Sequence, residues 1–149
     1  MNPKCAANIK ALKLYNTVGV QTGIEDASPY RLIQMLLDGA LGKISRAKSH
    51  MKQNEIEEKG VSIGMAISII GGLRDSLDHK AGGDIAANLD NLYEYMTYRL
   101  TEANIRNSHE ILDEVSGLLV EIKSAWDGIA GHELTARSNE TTQLMQNTG

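Results

Sequence analysis

The sequence predicts an all-α fold: an antiparallel up-down four-helix bundle with a short N-terminal helix or cap segment. Three observations carry this expectation. Apolar residues recur at i, i+3 and i+4 through four long windows, the spacing that lays side chains along one helical face. The only two prolines, Pro3 and Pro29, interrupt none of these windows, and no strand-like alternation or internal repeat is present. The connections between the windows are short, which favours antiparallel neighbours.

The first helix opens at Ser28-Pro29, where serine caps and proline suits the first helical position. Its core stripe reads Ile33, Leu36, Leu37, Ala40, Ile44, Ala47, Met51. Asn54 is the expected cap of the second helix, which runs to about His79 through Ile63, Ala66, Ile67, Ile70, Leu73 and Leu77. The turn Lys80-Ala81-Gly82-Gly83 then breaks the chain, and Asp84 is expected to cap the third helix. That helix packs through Ile85, Leu89, Leu92, Tyr93, Met96, Leu100 and Ala103. Asn107 or Ser108 opens the fourth, whose stripe Ile111, Val115, Leu118, Leu119, Ile122, Trp126, Ile129 is the cleanest of the four. The chain thus divides into a cap segment (residues 1–27), the bundle (28–130) and a polar tail (131–149). The tail has little periodicity and reads as disordered.

Composition narrows the function classes. At 149 residues the chain can bury one core without metal or disulfide support. A net charge of -4 provides no basic excess to neutralise phosphates, so nucleic acid is not an expected partner. Cys5 is the only cysteine, which forbids an intrachain disulfide and makes the cytosol the natural compartment. No run is long and apolar enough to span a bilayer, and no signal-peptide pattern opens the chain, so no membrane insertion is expected.

Catalysis has no visible support. A di-iron bundle needs Glu-x-x-His on facing helices, and none of His50, His79, His109 or His132 has a carboxylate three residues before it. No metal or cofactor is expected, and no nucleophile-base arrangement is evident. A histidine phosphotransfer module, which needs one exposed histidine on such a bundle, is the alternative from another class. A purely structural bundle that dimerises is the third.

The informative feature is surplus apolar surface. Val61, Met65 and Ile69 form a second stripe on the second helix, continued by Gly72 and Ser76, nearly opposite the first. Leu32 and Met35 likewise leave the core stripe of the first helix and share a face with Gly39 and Gly42. Tyr95 and Tyr98 sit off the core stripe of the third. An apolar strip that the core does not use marks a partner site or a lid. Glycines agree: Gly39, Gly42, Gly60, Gly64, Gly71 and Gly72 fall in helical windows, each costing about 0.5–1 kcal/mol relative to alanine. Close approach of another backbone, internal or foreign, would account for them.

Four strings then match one family in order and spacing. ASPYRLIQMLLDGAL (residues 27–41), HKAGGDIAANL (79–89), NLYEYMTYRLTEANIRN (91–107) and EVSGLLVEIKSAW (114–126) resemble the FliS family of flagellin-specific export chaperones. The similarity spans roughly residues 12 to 130. It implies a cytoplasmic bundle that binds the disordered C-terminal segment of flagellin in apolar grooves, masks its polymerisation surface, and presents it to the flagellar type III export gate. The string LKLYNTV resembles the family's N-terminal hydrophobic segment, which the resemblance makes a cover over part of the client groove and a contributor to docking at the gate. Leu12 and Tyr15 carry over, with Val18 closing the segment. The expected partner-binding residues are therefore Leu12, Tyr15, Val18, Leu32, Met35, Val61, Met65, Ile69, Tyr95 and Tyr98. An anti-sigma factor is a further candidate partner, and the expected state is a monomer or weak homodimer.

Overall fold

The computed structural model describes the backbone of residues 28–147 and the side chains of residues 28–129. It contains four helices: α1 (Pro29–Lys52), α2 (Ile56–Asp75), α3 (His79–Arg106) and α4 (His109–Asn147). The cap segment, with Leu12, Tyr15 and Val18, lies outside the described residues.

Helix ends follow from local chemistry. The Ser28 hydroxyl accepts from Arg31 N at 3.1 Å and Pro29 takes the first turn, as the sequence predicts. Asn54 does not cap α2. It adopts φ 58° after the end of α1, while Glu55 holds the N-cap position of α2 without a side-chain bond. The chain must reverse within three residues here, which requires a left-handed position, and asparagine tolerates one. Asn107 does the same at the end of α3 (φ 52°), and Ser108 then opens α4 by accepting from Ile111 N at 3.3 Å.

The α2–α3 connection falls earlier than the glycines indicated. α2 stops at Asp75, and Asp78 caps α3 by accepting from Lys80 N and Ala81 N. The expected glycine break survives as a kink inside α3, where Gly83 takes φ 50°, ψ -126°, a conformation that residues with a Cβ avoid. α4 continues through residues 131–147, the stretch set apart by the sequence reading as a polar tail. Its polar residues lack periodicity, but no proline breaks the backbone there.

α1 packs on α2 and α4, and α3 packs on the same two, giving the square of an up-down bundle. Leu37, Ile44, Ile63, Ile70, Leu73, Met96, Leu100, Leu112, Val115 and Leu119 are fully buried at its centre. Two expected core residues are not core: Ile85 is 72% exposed and Ile129 51%. Both have the right helical phase, but Ile85 lies in the first turns of α3 and Ile129 lies one turn past Trp126, which already packs at the start of α1.

Candidate partner-binding groove

The four seams of the square differ in chemistry. Across α1–α4, Lys48 pairs with Asp113, Lys123 with Asp38 at 2.6 Å, and Gln34 donates to Asp127 at 2.7 Å. Trp126 stacks on Tyr30 with ring centres 4.7 Å apart, and its indole N–H donates to the Tyr30 carbonyl. Across α2–α3, Arg74 reaches Asp90 and Glu94, and the Lys59 ammonium donates to the Asn104 carbonyl and to Asn107 Oδ1. Across α3–α4, Arg99 and the Tyr95 hydroxyl both donate to Glu114, at 2.9 and 3.0 Å. The α1–α2 seam is different. Among the described residues its one polar bridge is His50–Glu55 at 3.6 Å, at the turn.

The bridged seams set the local electrostatics. The Lys48 ammonium holds the Asp113 carboxyl below the usual carboxylate range, and the Arg74 guanidinium does the same for Asp90. Glu114 is lowered by its hydrogen bond from Arg99, and Glu102 by those from Arg106 and Arg99. Tyr95 is raised, chiefly because its hydroxyl donates to the Glu114 carboxylate.

Two of the surplus stripes meet at the unbridged seam. Helical spacing sets Leu32, Met35, Gly39, Lys43 and Arg46 along one face of α1, at i, i+3, i+7, i+11 and i+14. The antiparallel face of α2 reads Ser62, Met65, Ile69, Gly72 and Ser76. Leu32 and Met65 are half-buried, and Met35 is only 5% exposed although it stands apart from the continuous core. Ile69 is fully buried and belongs to that core, so the seam encloses it instead of leaving it as outer surface. The reason is that α2 is apolar around most of its circumference, and α1 covers the side that the stripe was expected to expose. Val61 is 58% exposed, on the solvent side of the same helix.

The tyrosines do not join this groove. Tyr95 turns toward α4 through Glu114 and Tyr98 is 69% exposed, both on α3, which packs on α2 and α4 and not on α1. What the sequence reading missed is Lys43, only 4% exposed and in the middle of the α1 stripe. Its phase between Gly39 and Arg46 was the available signal. Burial lowers its pKa, with the neighbouring Arg46 adding to the effect.

The glycines of α1 and α2 are only partly explained by internal packing. A Cβ added at Gly42, Gly64 or Gly71 would meet nothing within 4 Å. At Gly60 it would reach only the Asn104 side chain, at 3.9 Å. Among the described residues no three His, Cys, Asp or Glu side chains cluster as metal ligands would, and no helix is long and apolar enough to cross a membrane.

Comparison with known proteins gives a consistent set. The family model described as flagellar protein FliS matches residues 11–133. The flagellar secretion chaperone FliSB of Pseudomonas aeruginosa is 52% identical over 122 residues, covering 82% of this chain and 97% of that protein. The flagellar secretion chaperone FliS of Vibrio cholerae is 43% identical over 128 residues, covering 85% and 94%. That of Bacillus subtilis is 31% identical over 106 residues, covering 71% and 78%.

Proposed function

The chain belongs to the flagellar protein FliS family, whose relatives are flagellar secretion chaperones, and from that membership we propose that it binds the C-terminal segment of flagellin along the α1–α2 seam. In the cytosol it holds the segment as a disordered chain that folds on contact, blocks premature polymerisation, and presents the subunit to the flagellar type III export gate. The observation that supports this most directly is the seam itself. Three of the four seams are closed by ion pairs or charged hydrogen bonds, and along this one the only polar bridge among the described residues is His50–Glu55 at the turn.

The physical logic is that of helix-in-groove recognition. A client helix lays anchors at i, i+3, i+4 and i+7 into a hydrophobic channel, and methionines such as Met35 and Met65 adapt to its side chains. Ordering the client consumes part of the gross interaction energy, which keeps release feasible at the gate. The exposed tyrosine face of α3, with Tyr95 and Tyr98, offers a second contact for a segment that wraps beyond one groove. Residues 12–18 are the proposed cover of the groove before the client arrives, and Leu12, Tyr15 and Val18 are its apolar anchors.

Calorimetric titration with the C-terminal segment of the same cell's flagellin tests the reading. One-to-one binding with a large negative heat-capacity change is expected, the mark of apolar burial coupled to folding. Absence of heat at micromolar concentrations would remove the flagellin assignment.

A further inference from the structure

The α1–α2 seam is not uniform along its length. Near the start of α1 it is apolar, with Leu32 half-buried and Met35 5% exposed on the α1 stripe, and Ile69 and Gly72 buried on the α2 stripe. Half-way along it becomes cationic. The Lys43 stem is buried, yet among the described residues its Nζ makes no hydrogen bond or ion pair, and the ammonium reaches the seam's surface. Arg46, one turn on, is exposed and also forms no ion pair among the described residues. Among the described residues the charged neighbour that acts on Lys43 is Arg46, a like charge, and no carboxylate there offsets it. The α2 stripe, Ser62, Met65, Ile69, Gly72 and Ser76, carries no charge. The remaining ionisable groups on this side are His50, engaged with Glu55, and Glu58, which forms no ion pair with either cation.

Two cations one turn apart repel each other, and a half-buried ammonium without a counter-charge is a standing cost. A partner that brings a carboxylate removes both. We infer that the seam is polar in direction: it accepts a segment whose aliphatic anchors fill the Leu32–Met35 end and whose Asp or Glu side chain reaches Lys43 and Arg46. This rests on the seam being the client groove and adds to it the client's chemistry and orientation. An apolar channel alone would accept a helix in either direction, whereas an off-centre charge pair fixes one.

The test titrates the full chain with the flagellin C-terminal segment at low and high salt, for wild type, Lys43→Met and Arg46→Gln. Wild-type affinity is expected to fall about tenfold between roughly 50 and 500 mM salt, because the bridging charges sit at the rim of the groove. Lys43→Met should bind more weakly at low salt and lose most of that salt dependence, with Arg46→Gln intermediate. Arg46 is exposed and unpaired, so its variant folds and keeps the test valid if the methionine variant does not. Equal affinity at both salts, unchanged in both variants, would overturn the charge assignment while leaving the groove standing. Failure of wild type to bind under any salt condition would instead remove the flagellin reading and this inference with it.

Discussion

Ile69 and Val61 came from one stripe in the sequence, and the structure separates them completely. Two helical turns and a change of phase put Ile69 at 0% exposure and Val61 at 58%. Ile69→Glu should therefore unfold the bundle, because it buries a carboxylate without a partner among Leu and Ile side chains. Val61→Glu should leave the helical circular dichroism and melting temperature nearly unchanged, and retention of fold by Ile69→Glu would show that the seam is looser than described. Gly64 and Gly71 offer a second check at this scale, since an added Cβ meets nothing within 4 Å. Each change to alanine should stabilise the protein by about 0.5–1 kcal/mol through helix propensity alone. A loss of stability, measured by denaturant titration, would show that the free protein packs against these positions.

At the scale of elements, the four helices were legible because apolar periodicity over twenty or more residues is a strong signal. Their ends were less so. Asn54, Asp78 and Asn107 each have two plausible roles, as the cap of the following helix or as the turn before it. The choice depends on how tightly the chain must reverse, a tertiary property. Glycine chemistry at residues 80–83 predicts a break between helices with Asp84 as the cap, but Asp78 captures the two amides that start α3, and the glycines leave only a kink inside it. Gly83 then takes the left-handed φ of this kink, 50°, which glycine adopts without strain. Gly83→Ala should destabilise the protein by about 1–2 kcal/mol, since a Cβ disfavours this region. An unchanged melting temperature would mean that the first turn of α3 rearranges freely. The surplus stripes of α1 and α2 were legible too, but not that both would face one seam, because helical phase fixes a face and only packing decides its neighbour.

For the whole molecule, stability and function divide among the seams. Three are fastened by carboxylates that accept from basic partners; Asp90, Asp113 and Glu114 in these bridges, and Glu102 within α3, all have folded-state pKa values below their ordinary ones. A lowered carboxylate contributes stability above its unfolded pKa and loses it as pH falls through the folded one. The melting temperature should therefore hold near neutrality and fall as the pH drops below about 4. A flat profile from pH 5 to about pH 3 would mean that the surface pairs are screened into insignificance. The remaining seam has, among the described residues, only the His50–Glu55 bridge at its turn, and it is the surface proposed here for a partner. Its cationic centre escaped the sequence reading because a lysine in a helix is ordinarily solvated, whereas Lys43 is only 4% exposed.

The most direct test of that division is amide hydrogen exchange on the free protein and on the protein loaded with the flagellin C-terminal segment. Added protection is expected in residues 32–46 of α1 and 62–76 of α2, with less change along the bridged α3–α4 seam. Protection confined to α3 around Tyr95 and Tyr98, with α1 and α2 unchanged, would contradict the assignment of the α1–α2 seam as the client groove.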